Sequence, residues 1–207
     1  MTIQQRPTLY IDGVWCSSSE GSTRPTINPY DASVLTEVDE ASVADAERAI
    51  ASAKHYFTTS DWPSRPYVER CAFLSRMVKL LQKHKSELAR IETLDTGKTL
   101  GESEIDIDDV SNVFRFYAAE ALKLEGERRV LSPMIPDTVK SVIVHEPVGV
   151  CVLITPWNYP ILQLCWKLAP ALATGNVVII KPSEVTPLST IFVVKSVSYT
   201  HLRAHET

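Results

Sequence analysis

Residues 149–154 read Gly-Val-Cys-Val-Leu-Ile, a short apolar run of the kind that forms a strand buried on both faces of a parallel sheet. A second run of the same character, Asn-Val-Val-Ile-Ile, occupies residues 176–180. Between them, residues 161–173 have the apolar content of a helix, which Gly175 would end. Strand, helix and strand within about thirty residues form a βαβ unit. We therefore predict an α/β fold with an open parallel sheet.

Two loops of unusual composition follow these two predicted strands. The first, residues 155–160, is Thr-Pro-Trp-Asn-Tyr-Pro, and the second, residues 181–184, is Lys-Pro-Ser-Glu. The carboxyl ends of parallel strands meet at one edge of the sheet, which is where such folds bind ligands. We expect the two loops to border one shared cleft at that edge.

The rest of the chain predicts an amino-terminal β-hairpin arm and several helices. The pair Asp12-Gly13 between short apolar runs is a strong hairpin signal, and Ser42 with Asp45 three residues later is typical of a helix start. Helices are predicted over 42–57, from Ser64 onward, over 86–94 and over 100–124, and an exposed strand over 140–146. In the second helix the residues expected to face inward are Val68, Cys71, Phe73, Leu74, Val78 and Leu81.

Composition excludes several classes of function. The chain has 207 residues with a formal net charge of −4, enough for one large or two small domains. Nucleic acid is excluded as a main partner, since a protein that binds phosphates presents a basic surface. No apolar run approaches the roughly 20 residues that span a bilayer, and the polar residues 1–7 do not resemble a signal peptide. We expect a cytoplasmic protein with no membrane partner.

The four cysteines show no spacing typical of a metal site or a redox pair. Cys16, Cys71, Cys151 and Cys165 are each expected to be a buried thiol. Cys165 lies closest to the unusual loops, but its helix is apolar, and burial would raise the pKa of its thiol. We therefore expect Cys165 to be a poor nucleophile.

The two loops also carry a resemblance to a known family. The sequence Pro156-Trp157-Asn158-Tyr159-Pro160 followed by Lys181-Pro182-Ser183-Glu184 resembles the NAD-dependent aldehyde dehydrogenases, and most of all their betaine-aldehyde branch. Supporting stretches lie at 9–13, 27–29, 92–98, 146–150 and 166–176. The likeness covers about residues 8–190 and fades near Phe192. It implies a Rossmann-like cofactor domain, present here in part.

The resemblance assigns catalytic roles to Asn158 and Lys167. The Asn158 amide would donate to the oxyanion that develops at the aldehyde carbon, a role that needs a preorganised donor. The alternative is that Asn158 only caps the helix that follows. Lys167 matches a lysine with a charge-relay role in the betaine-aldehyde branch, the alternative being an ordinary helix lysine with its ammonium in solvent.

The resemblance also implies where NAD binds. Lys181 and Glu184 would hold the adenosine ribose, and a carboxylate there would repel the 2′-phosphate of NADP, so we predict NAD. The alternative is a solvated ion pair at the strand end. The full set of cofactor-binding residues is Ile154, Thr155, Pro156, Trp157, Lys181, Pro182, Ser183 and Glu184.

Two further sites follow from the likeness alone. Residues that match a monovalent-cation site, for K⁺, are Thr26, Ile27, Asp95 and Val185. Residues that match the substrate tunnel of betaine- and aminoaldehyde dehydrogenases are Tyr159, Trp166, Asp106 and Asp109. Aromatic faces and carboxylates attract a quaternary ammonium or amino group. The alternatives are a core position for Trp166 and a solvated helix face for the acidic run at 102–109.

In the family, the nucleophilic cysteine and the general-base glutamate lie beyond the region of likeness. We therefore expect residues 1–195 to be a partial NAD-binding domain, with 127–146 as an oligomerisation segment, and the tail 196–207 not to be native. The full-length parent would oxidise betaine aldehyde to glycine betaine as a homodimer or homotetramer, whereas this chain alone would be inactive. The alternative is a non-catalytic nucleotide-binding or assembly module.

Overall fold

A computed structural model of the chain describes residues 6–124, 129–130 and 142–203. The protein has a mixed α/β fold, as predicted. Its strands are β1 (Leu9–Ile11), β2 (Val14–Cys16), β3 (Thr23–Ile27), β4 (Val34–Asp39), β5 (Arg129–Val130), β6 (Val142–Ile143), β7 (Val150–Ile154) and β8 (Val177–Lys181). Its α-helices are α1 (Val43–Thr59), α2 (Tyr67–Lys83), α3 (Lys85–Thr96), α4 (Leu100–Leu122), α5 (Pro160–Ala173) and α6 (Leu188–Arg203).

The amino-terminal arm consists of two antiparallel strand pairs. Strands β1 and β2 pair around the turn Asp12-Gly13, where both residues have positive φ, which confirms the predicted hairpin. Strands β3 and β4 pair in the same way. The start of α1 is also as predicted, because the Ser42 hydroxyl accepts the Asp45 N–H and the Asp45 carboxylate accepts the Ser42 N–H.

The core lies among α2, α3, α4 and α5. Phe114, Leu74, Leu88 and Leu164 are completely buried there. Helix α2 departs from the prediction at two positions, since Val68 is exposed and Phe73 is only half-buried. At 100° per residue, Val68 lies about 120° round the helix from Leu74, outside the buried stripe.

The predicted βαβ unit is present. Strands β7 and β8 are parallel neighbours and α5 connects them. The expectation that β7 is buried on both faces is wrong for this chain. Leu153 is buried against the helical core, but Val152 and Ile154 on the opposite face are 55% and 61% exposed. Within the ranges described, β8 is the one strand paired with β7, and nothing covers that face at these two positions.

The segment 127–146 lies mostly outside the described residues. Only β5 and β6 are seen in it, paired antiparallel, so the strand predicted over 140–146 is seen at Val142–Ile143 alone. Helix α6 continues through residue 203, into the tail predicted to begin at 196. No helix in the described part of the chain is both long and apolar enough to cross a membrane.

Candidate active site

The two unusual loops meet at the carboxyl edge of the parallel strand pair. Ile154 and Lys181 are register partners at the ends of β7 and β8, and the Thr155 N–H donates to the Lys181 carbonyl at 3.2 Å. Farther along, the Thr186 hydroxyl donates to the Trp157 carbonyl at 3.3 Å. These contacts arise because parallel pairing places both strand ends on one side of the sheet. The loops therefore share one border, as the sequence predicts.

Lys181 and Glu184 form an exposed ion pair on the second loop. The Lys181 ammonium lies 3.2 Å from the Glu184 carboxylate, and both side chains are more than half exposed. The backbone N–H of Glu184 itself and then the Lys181 ammonium hold the pKa of this carboxyl below its ordinary value. Glu184 is therefore an anion at neutral pH, open to solvent at the strand end.

The other residues predicted to bind the cofactor present a mixed surface at the same edge. Ile154 and Trp157 are each 61% exposed and offer apolar area. Pro156 and Pro182 are half-buried, and Ser183 is buried. The Thr155 hydroxyl is buried and has no partner among the described residues. An apolar face beside a lysine and a carboxylate fits an adenosine with its ribose hydroxyls.

Asn158 is exposed at the entrance to α5. The helix begins at Pro160 with Tyr159 as its N-cap residue, and no side chain caps it. The Asn158 amide makes no hydrogen bond to any described residue. The capping alternative is therefore not what the structure contains, and the amide is free to donate to a ligand.

Lys167 reaches back from α5 to the end of β7. Its ammonium donates to the Ile154 carbonyl at 2.5 Å. The residue is half-buried but its hydrogen bond is exposed, so the alternative of an ordinary helix lysine stays open. This contact places a positive charge at the strand end from which the first loop departs.

The two predicted tunnel carboxylates occupy different environments. Asp106 is buried and lies 2.6 Å from the Lys98 ammonium, so it does not belong to a solvated helix face. Asp109 is exposed and lines an open cleft of about 620 Å³ together with Phe116, Tyr117 and Trp166. Trp166 is 49% exposed, which excludes a core position within this chain.

Tyr159 contacts charged residues from α4 and from the loop before it. The Lys98 ammonium lies 4.1 Å from the centroid of the Tyr159 ring, and the Tyr159 hydroxyl donates to Glu102 at 3.3 Å. Sequence reasoning did not single out Lys98. The signal for it is its position directly after Gly97, which ends α3 in a left-handed conformation and so directs the next residue toward α4.

The residues that match a cation site occupy different environments. Asp95 is buried, its Oδ2 accepts the Leu188 N–H at 2.8 Å, and its Oδ1 has no described partner. Burial raises the pKa of this carboxyl to about 8. Thr26 is buried, with its hydroxyl bonded to the Thr36 carbonyl, while Ile27 and Val185 are exposed. With this pKa the Asp95 carboxyl is neutral at pH 7, so a hard cation here would be held mainly by backbone carbonyls.

The described cysteines are free thiols. Cys71 and Cys165 are buried as expected, but Cys16 and Cys151 are only half-buried because they lie on strands at the edge of small sheets. Burial strongly raises the pKa of the Cys165 thiol. The prediction that Cys165 is a poor nucleophile agrees with this environment. No cluster of three or more metal-binding His, Cys, Asp or Glu side chains occurs in the described ranges.

A family model for the aldehyde dehydrogenase family matches residues 15–202. The chain belongs to the aldehyde dehydrogenase family. It is 48% identical to the betaine aldehyde dehydrogenase of Bacillus subtilis over 188 residues, which are 91% of this chain and 38% of that protein. It is 38% identical to aminoaldehyde dehydrogenase 2 of Zea mays, over 89% of this chain and 37% of that protein.

Solved structures of the family agree with the fold. The chain is similar to betaine aldehyde dehydrogenase from Staphylococcus aureus in complex with NAD⁺, with a TM-score of 0.87 and 46% identity. The match covers 90% of this chain and 37% of that one. This chain thus spans well under half the length of these aldehyde dehydrogenases.

Proposed function

We propose that this chain is part of an enzyme that oxidises a cationic aldehyde to a carboxylic acid with NAD. Betaine aldehyde is the expected substrate and glycine betaine the product. The observation that carries the proposal is the shared border of the two loops. It brings the free Asn158 amide and the exposed Lys181–Glu184 pair to one edge of the sheet. Family membership and the betaine- and aminoaldehyde relatives support it.

In the proposed cofactor-binding site, the ion pair of the second loop binds the adenosine ribose. When bound, NAD would accept the hydride that leaves the aldehyde carbon. The Glu184 carboxylate would accept hydrogen bonds from the ribose hydroxyls, and the Lys181 ammonium would donate one. Ile154, Trp157 and the two prolines would supply apolar contact. Glu184 would repel the 2′-phosphate that NADP carries on this ribose, so NADP is disfavoured.

The proposed catalytic groups of this chain are Asn158 and Lys167. The Asn158 amide would donate to the oxygen of the aldehyde as negative charge develops there, and a preorganised donor of this kind typically contributes about 3 kcal/mol. The Lys167 ammonium, which donates a hydrogen bond to the Ile154 carbonyl beside the first loop, would act as a proton relay. The nucleophile would come from outside this chain, since the buried Cys165 thiol is unsuited to the role.

The proposed site for the substrate's positive charge is the cleft on α4 and α5. Trp166 and Phe116 offer aromatic faces, and Asp109 offers an exposed carboxylate. Cation–π contacts contribute about 0.5–2 kcal/mol each. Tyr159 would line the inner part of the same path. Asp106 would act through Lys98, which neutralises it, rather than on the substrate directly.

Further proposals concern the whole protein. Asp95, with Thr26, Ile27 and Val185, would bind K⁺ beside the second loop. The parent would be a cytoplasmic homodimer or homotetramer, residues 127–146 would form its oligomerisation segment, and the tail 196–207 would not be native. The present chain alone would not turn over aldehyde.

The test is a titration of the purified chain with NADH. Energy transfer from tryptophan to the nicotinamide is the signal that reports binding. We expect saturable binding that is weaker for NADPH, and no reduction of NAD when betaine aldehyde is added. The absence of NADH binding by a chain that melts cooperatively would overturn the cofactor assignment. Binding by this chain together with an inactive full-length protein would favour the alternative of a non-catalytic nucleotide-binding module.

A further inference from the structure

Three ionisable side chains lie buried together between α3 and α4. The Lys98 ammonium is 2.6 Å from the Asp106 carboxylate and 3.8 Å from that of Glu92. The exposed fractions of the three side chains are 8% for Lys98, 6% for Asp106 and zero for Glu92. Removing charges from water is costly even when they are paired. The residues that this cluster contacts should therefore indicate why it is buried.

The cluster contacts the beginning of α5. Besides the two carboxyls, Lys98 contacts the ring of Tyr159, with the ammonium 4.1 Å from the ring centroid. On the other side, Glu92 is close enough to the Ile161 N–H and the Ser189 hydroxyl for both to lower the pKa of its carboxyl, although neither completes a hydrogen bond. Lys98 and Glu92 therefore lie against the first turn of α5.

The start of α5 has Pro160 at its first position but no side-chain cap. Tyr159 is the N-cap residue, with φ −138° and ψ 61°, and its side chain accepts no hydrogen bond from the helix. Ser42 and Thr99, at the starts of α1 and α4, do accept a backbone N–H, whereas Pro66 and His84, at the starts of α2 and α3, do not. The Tyr159 side chain is held instead by Lys98 at its face and Glu102 at its hydroxyl.

We propose that Lys98 is a positioning residue for the candidate active site. Its ammonium, anchored by Asp106, holds the Tyr159 ring and so sets the direction in which the adjacent Asn158 amide points. A desolvated cation over an aromatic face is a strong form of this contact. The inference rests on the oxyanion role proposed for Asn158, because a fixed direction matters only for a group that must meet a developing charge.

The test is the position of the Asn158 side-chain amide in nitrogen–proton correlation spectra of the isotopically labelled chain. Its resonance pair is identified as the one lost in Asn158→Ser. The variant is Lys98→Met combined with Asp106→Asn, which removes both charges of the closest ion pair. The matched control is Lys85→Met with Asp108→Asn, because Lys85 and Asp108 form an ion pair at 2.7 Å involving the same helix α4.

We expect the Asn158 amide pair to shift by more than its linewidth, or to broaden, in the Lys98/Asp106 variant. It should remain at the wild-type position in the control and in Lys98→Arg, which keeps the charge over the ring. Backbone amides of α1, which contacts neither ion pair, should not move in any of these variants. An unchanged Asn158 amide in a folded Lys98/Asp106 variant would overturn the proposal.

If that double variant does not fold, Lys98→Gln replaces it, since Gln keeps a donor for Asp106 but places no charge over Tyr159. Failure of both to fold would also overturn the proposal, because the cluster would then serve the whole fold rather than one helix end. The measurement involves neither aldehyde nor NAD. Failure of the proposed function, shown by absent NADH binding or turnover, is therefore a separate result.

Discussion

The Asn176 side chain joins the two strands that carry the site loops, because its Oδ1 accepts the Gly149 N–H at 2.9 Å. Its amide nitrogen also donates to Thr174 Oγ1 at 2.9 Å and to the Ala171 carbonyl at 3.3 Å. One buried amide therefore ties the start of β7 to the turn between α5 and β8. The tie lies at the amino ends of β7 and β8, whereas the site loops leave their carboxyl ends.

We predict that Asn176→Ala lowers the free energy of unfolding by about 2 kcal/mol or more, because a buried Gly149 N–H loses its partner. Urea denaturation followed by circular dichroism measures the change. Asn112→Ala is the control, since Asn112 is exposed and accepts only from Arg115. Equal effects of the two substitutions would contradict the prediction.

Stability should fall as the pH rises from about 4.5 to about 8. Burial raises the pKa of Glu92 to about 7 and that of Asp95 to about 8, so the folded protein holds protons on both that the unfolded chain has released. Lys98 lowers and Asp106 raises the pKa of Glu92, and the nearby Cys165 thiol stays neutral. Across this window the loss should be a few kcal/mol.

The variant Glu92→Gln with Asp95→Asn should flatten this decline, as measured by urea midpoints at pH 5, 6, 7 and 8. Glu47→Gln, an exposed carboxylate on α1, should leave it unchanged. A wild-type chain whose midpoint rises over this interval would show that the two carboxyls are ionised in the folded state.

Gly97→Ala should destabilise the chain by more than Gly13→Ala. Both glycines have positive φ, 78° and 76°, so both substitutions carry the same backbone strain of about 1 kcal/mol. At Gly97 the new Cβ would also lie 2.7 Å from Pro29 Cγ, whereas at Gly13 nothing lies within 4 Å. The difference between the two melting temperatures isolates the close approach, and its absence would contradict the packing of Pro29 on the end of α3.

Glu184→Gln should weaken NADH binding roughly tenfold, since an anionic acceptor for the ribose becomes neutral. NADPH binding should weaken less or improve, because the repulsion of its 2′-phosphate disappears. Fluorescence titrations with both dinucleotides measure the ratio of the two dissociation constants. Glu69→Gln on α2 is the control, as it removes an exposed carboxylate elsewhere. An unchanged ratio in Glu184→Gln would rule out the ribose contact.

Local sequence signals predicted the parts of the fold that depend on neighbouring residues. Asp12-Gly13 favours a hairpin through backbone conformation alone, and the reciprocal bonds of Ser42 and Asp45 need only three residues. The predictions are wrong where apolar character alone assigns a residue to the core. Val68 and Ile154 are exposed because burial depends on which element lies opposite, and apolar character does not report that.

In the candidate site, too, some features follow from the sequence and others only from the tertiary structure. The order of strands, loops and helix in the sequence was enough to place Lys181 and the first loop at one edge, because parallel strands end side by side. Only the tertiary structure decides that Asp106 is buried and Asp109 is exposed. Packing of α3 against α4 carries Lys98 into contact with Asp106 and leaves Asp109 on the open cleft. Burial and charge pairing are properties of surfaces brought together from distant segments, and helical periodicity alone does not specify them.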